Sequence, residues 1–175
     1  MEADCGFTAK LEAARAGKAW ALTALYRGLH ARLLRYLAAF DPEHADDLAS
    51  EVWLDIAAGL DHFEGDERAF RSWSFTIARR RLADARRLLP VDALGERGDA
   101  PDLPQPAEAD LAVRTALERI GSLPHQDAEA ILLRVVGGFT ADEVRALLHR
   151  PAPTVRSLQQ RAIQRLIQVG KAEAA

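Results

Sequence analysis

The chain has 175 residues, 49% of them hydrophobic, and a formal net charge of −3. That length allows one ordinary domain or two small ones, the apolar content argues against wholesale disorder, and no run approaches the roughly 18 apolar residues that span a bilayer. The lone Cys5 excludes an internal disulfide and a cysteine-based zinc cluster.

The start, MEADCGFTAK, is acidic and polar rather than a secretory signal, so a reducing cytoplasm is expected. Residues 1–17 carry little pattern. From Trp20 a helix is expected, with Leu22, Leu25, Tyr26, Leu29, Leu33, Leu37 and Phe40 as one apolar stripe. Asp41-Pro42 ends it, because the residue before proline is pushed out of the helical region. A second helix follows from about His44 to Leu60, burying Leu48, Val52, Trp53, Ile56 and Leu60. Its other face is acidic: ten Asp or Glu and no Lys or Arg lie between Asp41 and Glu67. The face is either solvated, with pairing to the basic helix beside it, or a docking surface for a basic partner. Asp46, Asp47, Glu51 and Asp55 stack at helical spacing, but no histidine joins them at ligand spacing, so a metal site is not expected.

After the turn His62–Glu67, the stretch from Ala69 to Leu89 opens with Phe70, Trp73 and Phe75 and closes with arginines. Seven arginines against Asp84 between Arg68 and Arg87 make it about +6 in an otherwise acidic chain. Phosphate is the commonest partner of such a block, and aromatic planes beside guanidinium groups suit unstacked bases. An amphipathic core helix with a solvated basic face fits equally well. Residues 90–110 hold four prolines, two glycines and six acids against Arg97, which reads as a flexible acidic linker. The expected division is therefore 1–89, 90–110 and 111–175, an all-α chain of two small helical domains.

In the second domain, Leu111, Ala112, Thr115, Leu117 and Ile120 give a helix ending at Gly121. Asp127 to Val136 gives another, with Ala130, Ile131, Leu133, Val135 and Val136, closed by Gly137-Gly138. Thr140 and Glu143 have capping-box spacing ahead of a short helix, and Pro153 is placed to open a last helix running to about Val169. A short helix, a break and a longer helix bearing Arg156, Gln159, Gln160, Arg161, Gln164 and Arg165 is a helix-turn-helix pattern. Arginine and glutamine are the side chains that read guanine and adenine edges. A surface hairpin of a helical bundle is the plainer alternative. No nucleophile–base set, phosphate loop or cofactor motif stands out, so no enzyme and no cofactor are expected.

Three segments in order resemble the extracytoplasmic-function (ECF) sigma factors of bacterial RNA polymerase. HADDLASEVWLDIAAGLDHF resembles that family's acidic helix, D-x-x-D-L-x-Q-E-x-F-L; FRSWSFTIARRRLADARR resembles F-x-x-W-L-x-x-I-A-R-N-x-x-x-D-x-x-R-R; Ala116–Leu166 resembles region 4. The resemblance implies core RNA polymerase and promoter DNA as partners. Asp46, Asp47, Glu51 and Trp53 would dock on basic clamp helices of the polymerase. Phe63, Arg79, Arg80, Arg81 and Asp84 would melt and read the −10 element, and Thr154, Arg156, Ser157, Arg161 and Arg165 would enter the major groove at −35. The acidic linker would thread toward the RNA-exit path. An anti-sigma factor is implied as a further partner.

The chain departs from the family at several positions. Arg80 stands for the usual Asn at a position that helps choose the −10 base, Pro153 for Gly, Leu158 for Arg, and His149-Arg150-Pro151 for the L-G-I-S turn. No further C-terminal domain is expected. The terminal Ala174-Ala175 resembles tags read by ATP-dependent proteases, although a frayed end of an alanine-rich helix explains it as simply. A stand-alone helix-turn-helix regulator binding DNA as a dimer is the competing reading; the acidic 41–67 segment has no use in such a protein.

Overall fold

The computed structural model describes residues 6–88 and 108–173. The expected linker, apart from its last three residues, and the Ala174-Ala175 end lie outside them. Among the described residues the regular structure is entirely helical: α1 (Phe7–Arg15), α2 (Ala19–Phe40), α3 (Ala45–Gly59), a 3-10 turn (Leu60–His62), α4 (Glu67–Leu88), α5 (Glu108–Gly121), α6 (His125–Val135), α7 (Ala141–Leu148) and α8 (Ala152–Glu173). Contacts divide the chain into two compact units, residues 6–37 with 44–88 and residues 38–43 with 108–173. No helix among the described residues is long and apolar enough to cross a membrane.

In the first unit α3 packs on α4, and their buried faces meet α2 side chains. Leu25, Leu29, Leu33, Tyr36 and Leu37 form the buried stripe of α2, and Val52 and Ile56 that of α3. The α2 stripe is rotated from the one expected. Leu22 and Tyr26 are each 41% exposed, while Tyr36 is fully buried with its ring edge-on to Phe75 at 5.4 Å. Each large apolar side chain so buried contributes about 1.5–3 kcal/mol. On α4 Phe70, Phe75, Ile77, Ala78 and Leu82 are buried and Trp73 is half-buried. Ser74 is buried among them without penalty because its hydroxyl donates to Phe70 O at 2.8 Å. The sequence pattern gives no sign of helix α1. That helix buries only Leu11 and Ala14, too short an apolar stripe to stand out in an alanine-rich segment.

In the second unit α6 packs against α8, with α5 and α7 flanking them. Leu123, Ala128, Ile131 and Ala162 form a core against which Ile120 and Leu166 pack. Helix α5 starts at Glu108, three residues before the expected Leu111. Val135, expected in the buried stripe of α6, is 70% exposed: α6 is buried all round from Asp127 to Leu133, and its last residues, Arg134 and Val135, emerge into solvent. The capping box of α7 forms as the sequence indicates: Glu143 N donates to Thr140 Oγ1 at 3.3 Å and Thr140 N to Glu143 Oε2 at 2.6 Å.

The turn between α7 and α8 closes on His149, which adopts left-handed backbone angles (φ 50, ψ 43). His149 N donates to Ala146 O and Arg150 N to Arg145 O, both at 3.2 Å, so the last turn of α7 keeps its carbonyls satisfied. Helix α8 then starts at Ala152, one residue ahead of Pro153. Left-handed geometry costs an L residue about 1–2 kcal/mol, more when it is β-branched. His149→Val is expected to lower stability by about 1–2 kcal/mol while His149→Gly leaves it unchanged or raises it, as denaturant midpoints will report.

Candidate functional site

The two charged helices of the first unit meet along one edge. Asp55 of α3 accepts from Arg81 Nε at 2.7 Å and Arg81 Nη2 at 2.6 Å, a two-armed pair, and from Arg80 Nη2 at 3.0 Å. Arg81 also reaches Glu51 Oε2 at 3.2 Å. The Arg81 hydrogen bonds hold the Asp55 carboxyl below its ordinary range; burial opposes them and the Arg80 bond adds to them. The same contact raises Arg81 further. Part of the basic block of α4 is therefore neutralised by its acidic neighbour. Arg80 keeps most of its surface in solvent, whereas Arg81 lies partly covered against α3. Asp46 and Asp47, in the first turn of α3, and Glu51 remain exposed.

Trp53, on the same helix, is half-buried. Its ring lies 5.0 Å from Tyr26, which stacks on His30 at 4.3 Å. Its buried indole Nε1 has no hydrogen-bond partner among the described residues. Leu22, Tyr26, Trp53, Ile56 and Leu60 line an open apolar cavity of about 290 Å³ beside the acidic face.

Phe63, expected to meet DNA, is buried. Trp73 stacks on it with ring centres 5.0 Å apart, and Phe70 meets it edge-on at 5.5 Å. The aromatic side chains read as a platform for bases are thus mostly packed on one another. Two glycines permit this packing. A Cβ on Gly59 would come within 2.7 Å of Trp73, and Gly65 has φ +145, with Ala69 Cβ only 2.6 Å from where its own Cβ would stand. Asp66 then caps α4 by accepting from Ala69 N at 2.8 Å. Arg79 is half-buried, and Asp84 is exposed and pairs with Arg87 at 3.5 Å.

In the second unit the five candidates divide. Arg156 and Ser157 are exposed and Thr154 half-exposed, all in the first two turns of α8. Ser157 donates to Pro153 O at 3.0 Å. Arg161 and Arg165 instead turn back to α6, where Asp127, almost fully buried, accepts from Arg161 Nη2 at 3.0 Å and faces Arg165 Nε at 3.8 Å. Local sequence gives Asp127 no role beyond its place in the first turn of α6, because the two arginines that meet it stand 34 and 38 residues later.

The first unit thus carries an acidic helix locked to a basic one, and the second a helix-turn-helix with polar side chains at the start of its last helix. These are the parts of a two-region initiation factor of the sigma-70 type. Sigma-70 region 2 matches residues 21–88, and Sigma-70, region 4 matches residues 114–166. The ECF RNA polymerase sigma factor ShbA of Streptomyces griseus is 31% identical over 169 residues, covering 86% of this chain and 87% of that protein. The chain belongs to the family of ECF RNA polymerase sigma factors. SigD of Mycobacterium tuberculosis is 35% identical over 130 residues, but there the match takes in 70% of this chain and 61% of SigD, less than two thirds of that relative's length. In the co-crystal structure of the sigma factor RpoE with the anti-sigma factor NepR from Bartonella quintana, one chain shares the fold. Its TM-score is 0.65 and its identity 24%, over 86% of this chain and 94% of that one.

Because the Asp55 pKa is depressed on folding, its contribution to stability is fully present above the ordinary value of 3.8 and is lost as pH falls through the lower folded value. Asp55→Asn is therefore expected to be less stable than the parent at pH 7, and the two curves should converge below about pH 4 in acid-unfolding titrations.

Proposed function

We propose that this protein binds bacterial core RNA polymerase and directs it to particular promoters, acting in the cytoplasm and catalysing no reaction itself. The observation that carries the reading is the exposed carboxylate row Asp46, Asp47 and Glu51 on α3, beside the half-buried Trp53, in a unit that matches Sigma-70 region 2. Such a face complements the basic clamp helices of the polymerase and sets the register of docking. The half-buried ring of Trp53 and the apolar cavity next to it add surface that a partner helix desolvates.

The turn at 60–66 and the exposed side of α4 take the −10 element as single strand. Arg79 and Arg80 supply phosphate contacts, and Asp84 lies on the same helix. Arg81 acts by fixing α4 on α3, and Phe63 by shaping the turn from within. In the second unit Thr154, Arg156 and Ser157 enter the major groove at −35, while Arg161 and Arg165 anchor α8 to α6 through Asp127. The domain boundaries follow the same division, residues 1–89 and 111–175 about a linker at 90–110, with α5 opening at Glu108. The net charge of −3 suits this division of labour, since a sigma factor of this kind leaves most non-specific DNA contact to the polymerase. An anti-sigma factor is a further partner, an inference supported by the fold shared with a chain crystallised with one.

The purified protein is expected to co-migrate with core RNA polymerase on gel filtration. An Asp46→Lys/Asp47→Lys variant, which leaves both carboxylate partners of Arg81 in place, should lose about 100-fold or more in affinity, since juxtaposed like charges cost several kcal/mol. Failure of the parent to bind core polymerase, together with tight, salt-sensitive binding of duplex DNA by the protein alone, would favour the dimeric regulator instead.

A further inference from the structure

Helix α1 ends on Arg15, and that side chain crosses to the turn ahead of the basic helix. Arg15 Nε donates to Leu60 O at 3.0 Å, and Nη2 donates to Phe63 O in a short contact. The two carbonyls flank the 3-10 turn Leu60–His62: Leu60 begins it, and Phe63 leaves it in extended geometry (φ −71, ψ 130). Inside the turn the backbone bond between the same residues, Phe63 N to Leu60 O, is long at 3.3 Å. The rigid guanidinium fork therefore spans the turn and sets the separation of its ends. At the other end of α1, Phe7 packs on Phe70 at 5.5 Å, and Phe70 meets Phe63 and Trp73 at 5.5 and 5.9 Å. The turn is thus held through its carbonyls by one end of α1 and through its aromatic side chain by the other. The side chains it leaves in solvent are those of Asp61, His62, Glu64 and Asp66, the last of them capping α4.

We infer that Arg15 is a positioning residue for −10 recognition, fixing the backbone of residues 60–66 so that their exposed groups meet an unstacked base in one geometry. This rests on the reading of the turn as part of the −10 reader. Arg15 touches no DNA in this scheme; it acts through the two carbonyls. A turn fixed before binding offers its groups in one geometry, which only the matched base fits; a turn free to rearrange would accommodate a mismatched base as well and so shrink the difference in affinity between them.

The test uses holoenzyme reconstituted from core polymerase and the full chain, transcribing a template library randomised at both −35 and −10, with transcribed templates sequenced. Arg15→Ala is expected to flatten enrichment at −10 positions by about fivefold or more, within the range a single base mismatch is worth, and to leave −35 enrichment and core affinity unchanged. Arg15→Lys keeps the charge but cannot bridge both carbonyls, and should flatten −10 enrichment as well. Hydrogen exchange of the free protein should quicken at residues 61–66 in both variants while α2 and α3 keep their protection. Parent-like −10 enrichment in Arg15→Lys, or equal flattening at −35 and −10 in Arg15→Ala, would overturn the inference. A parent that enriches −35 sequences but none at −10 would instead overturn the assignment of the turn to the −10 element, and the role of Arg15 with it.

Discussion

The two-armed pair between Asp55 and Arg81 governs the first unit. Burying the apolar faces of α3 and α4 against each other brings an acidic helix alongside a basic one, and charge then decides their register. Asp55 takes both arms of Arg81 and one of Arg80, and Glu51 takes a further contact. An exposed ion pair contributes little. This one is two-armed and partly covered, and its geometry fixes rotation about the helix axes as well as distance. Once α3 and α4 are locked in that rotation, Asp46 and Asp47 must face outward and Phe63, Phe70 and Trp73 must close on one another.

The second unit uses the same device. Asp127 on α6 lies nearly out of water and is compensated by Arg161 and Arg165 from α8. A buried carboxylate without a partner would be costly, so α8 is held in one rotation on α6, with Arg156 and Ser157 pointing away from the core. In both units some of the arginines that make the sequence look like a nucleic-acid binder are spent on structure. The basic surface that remains is smaller and placed by those pairs. This fits a protein that shares the work of binding DNA with a larger enzyme.

Helix periodicity along the chain was enough for α2 to α8 and for the Thr140–Glu143 capping box, because each rests on spacing within a few residues. It was also enough for the family resemblance, which depends on local motifs. It failed for α1, whose two buried side chains make no visible stripe. It misplaced Tyr26, at the margin of the α2 stripe, and Leu22 and Val135, which share a face with buried residues but stand near helix ends left open to solvent. The αL geometry of His149 was equally hidden, because no glycine marks it.

What the sequence determined by itself is the order of helices, the segregation of charge into blocks and the chemistry available to each block. Only the tertiary structure decided which charges are left for a partner. Arg80, Arg81, Arg161 and Arg165 look alike in the sequence, and so do Asp47 and Asp55. Their difference arises from opposite charges 25 to 38 residues distant that packing brings within about 4 Å. Phe63 divides the same way. The family resemblance offers it to the −10 element, and the approach of Trp73 and the fork of Arg15 turn it into the inner wall of the turn. Local spacing fixes which face a side chain shares within its helix; only the meeting of separate helices fixes whether that face looks toward water or toward an opposite charge.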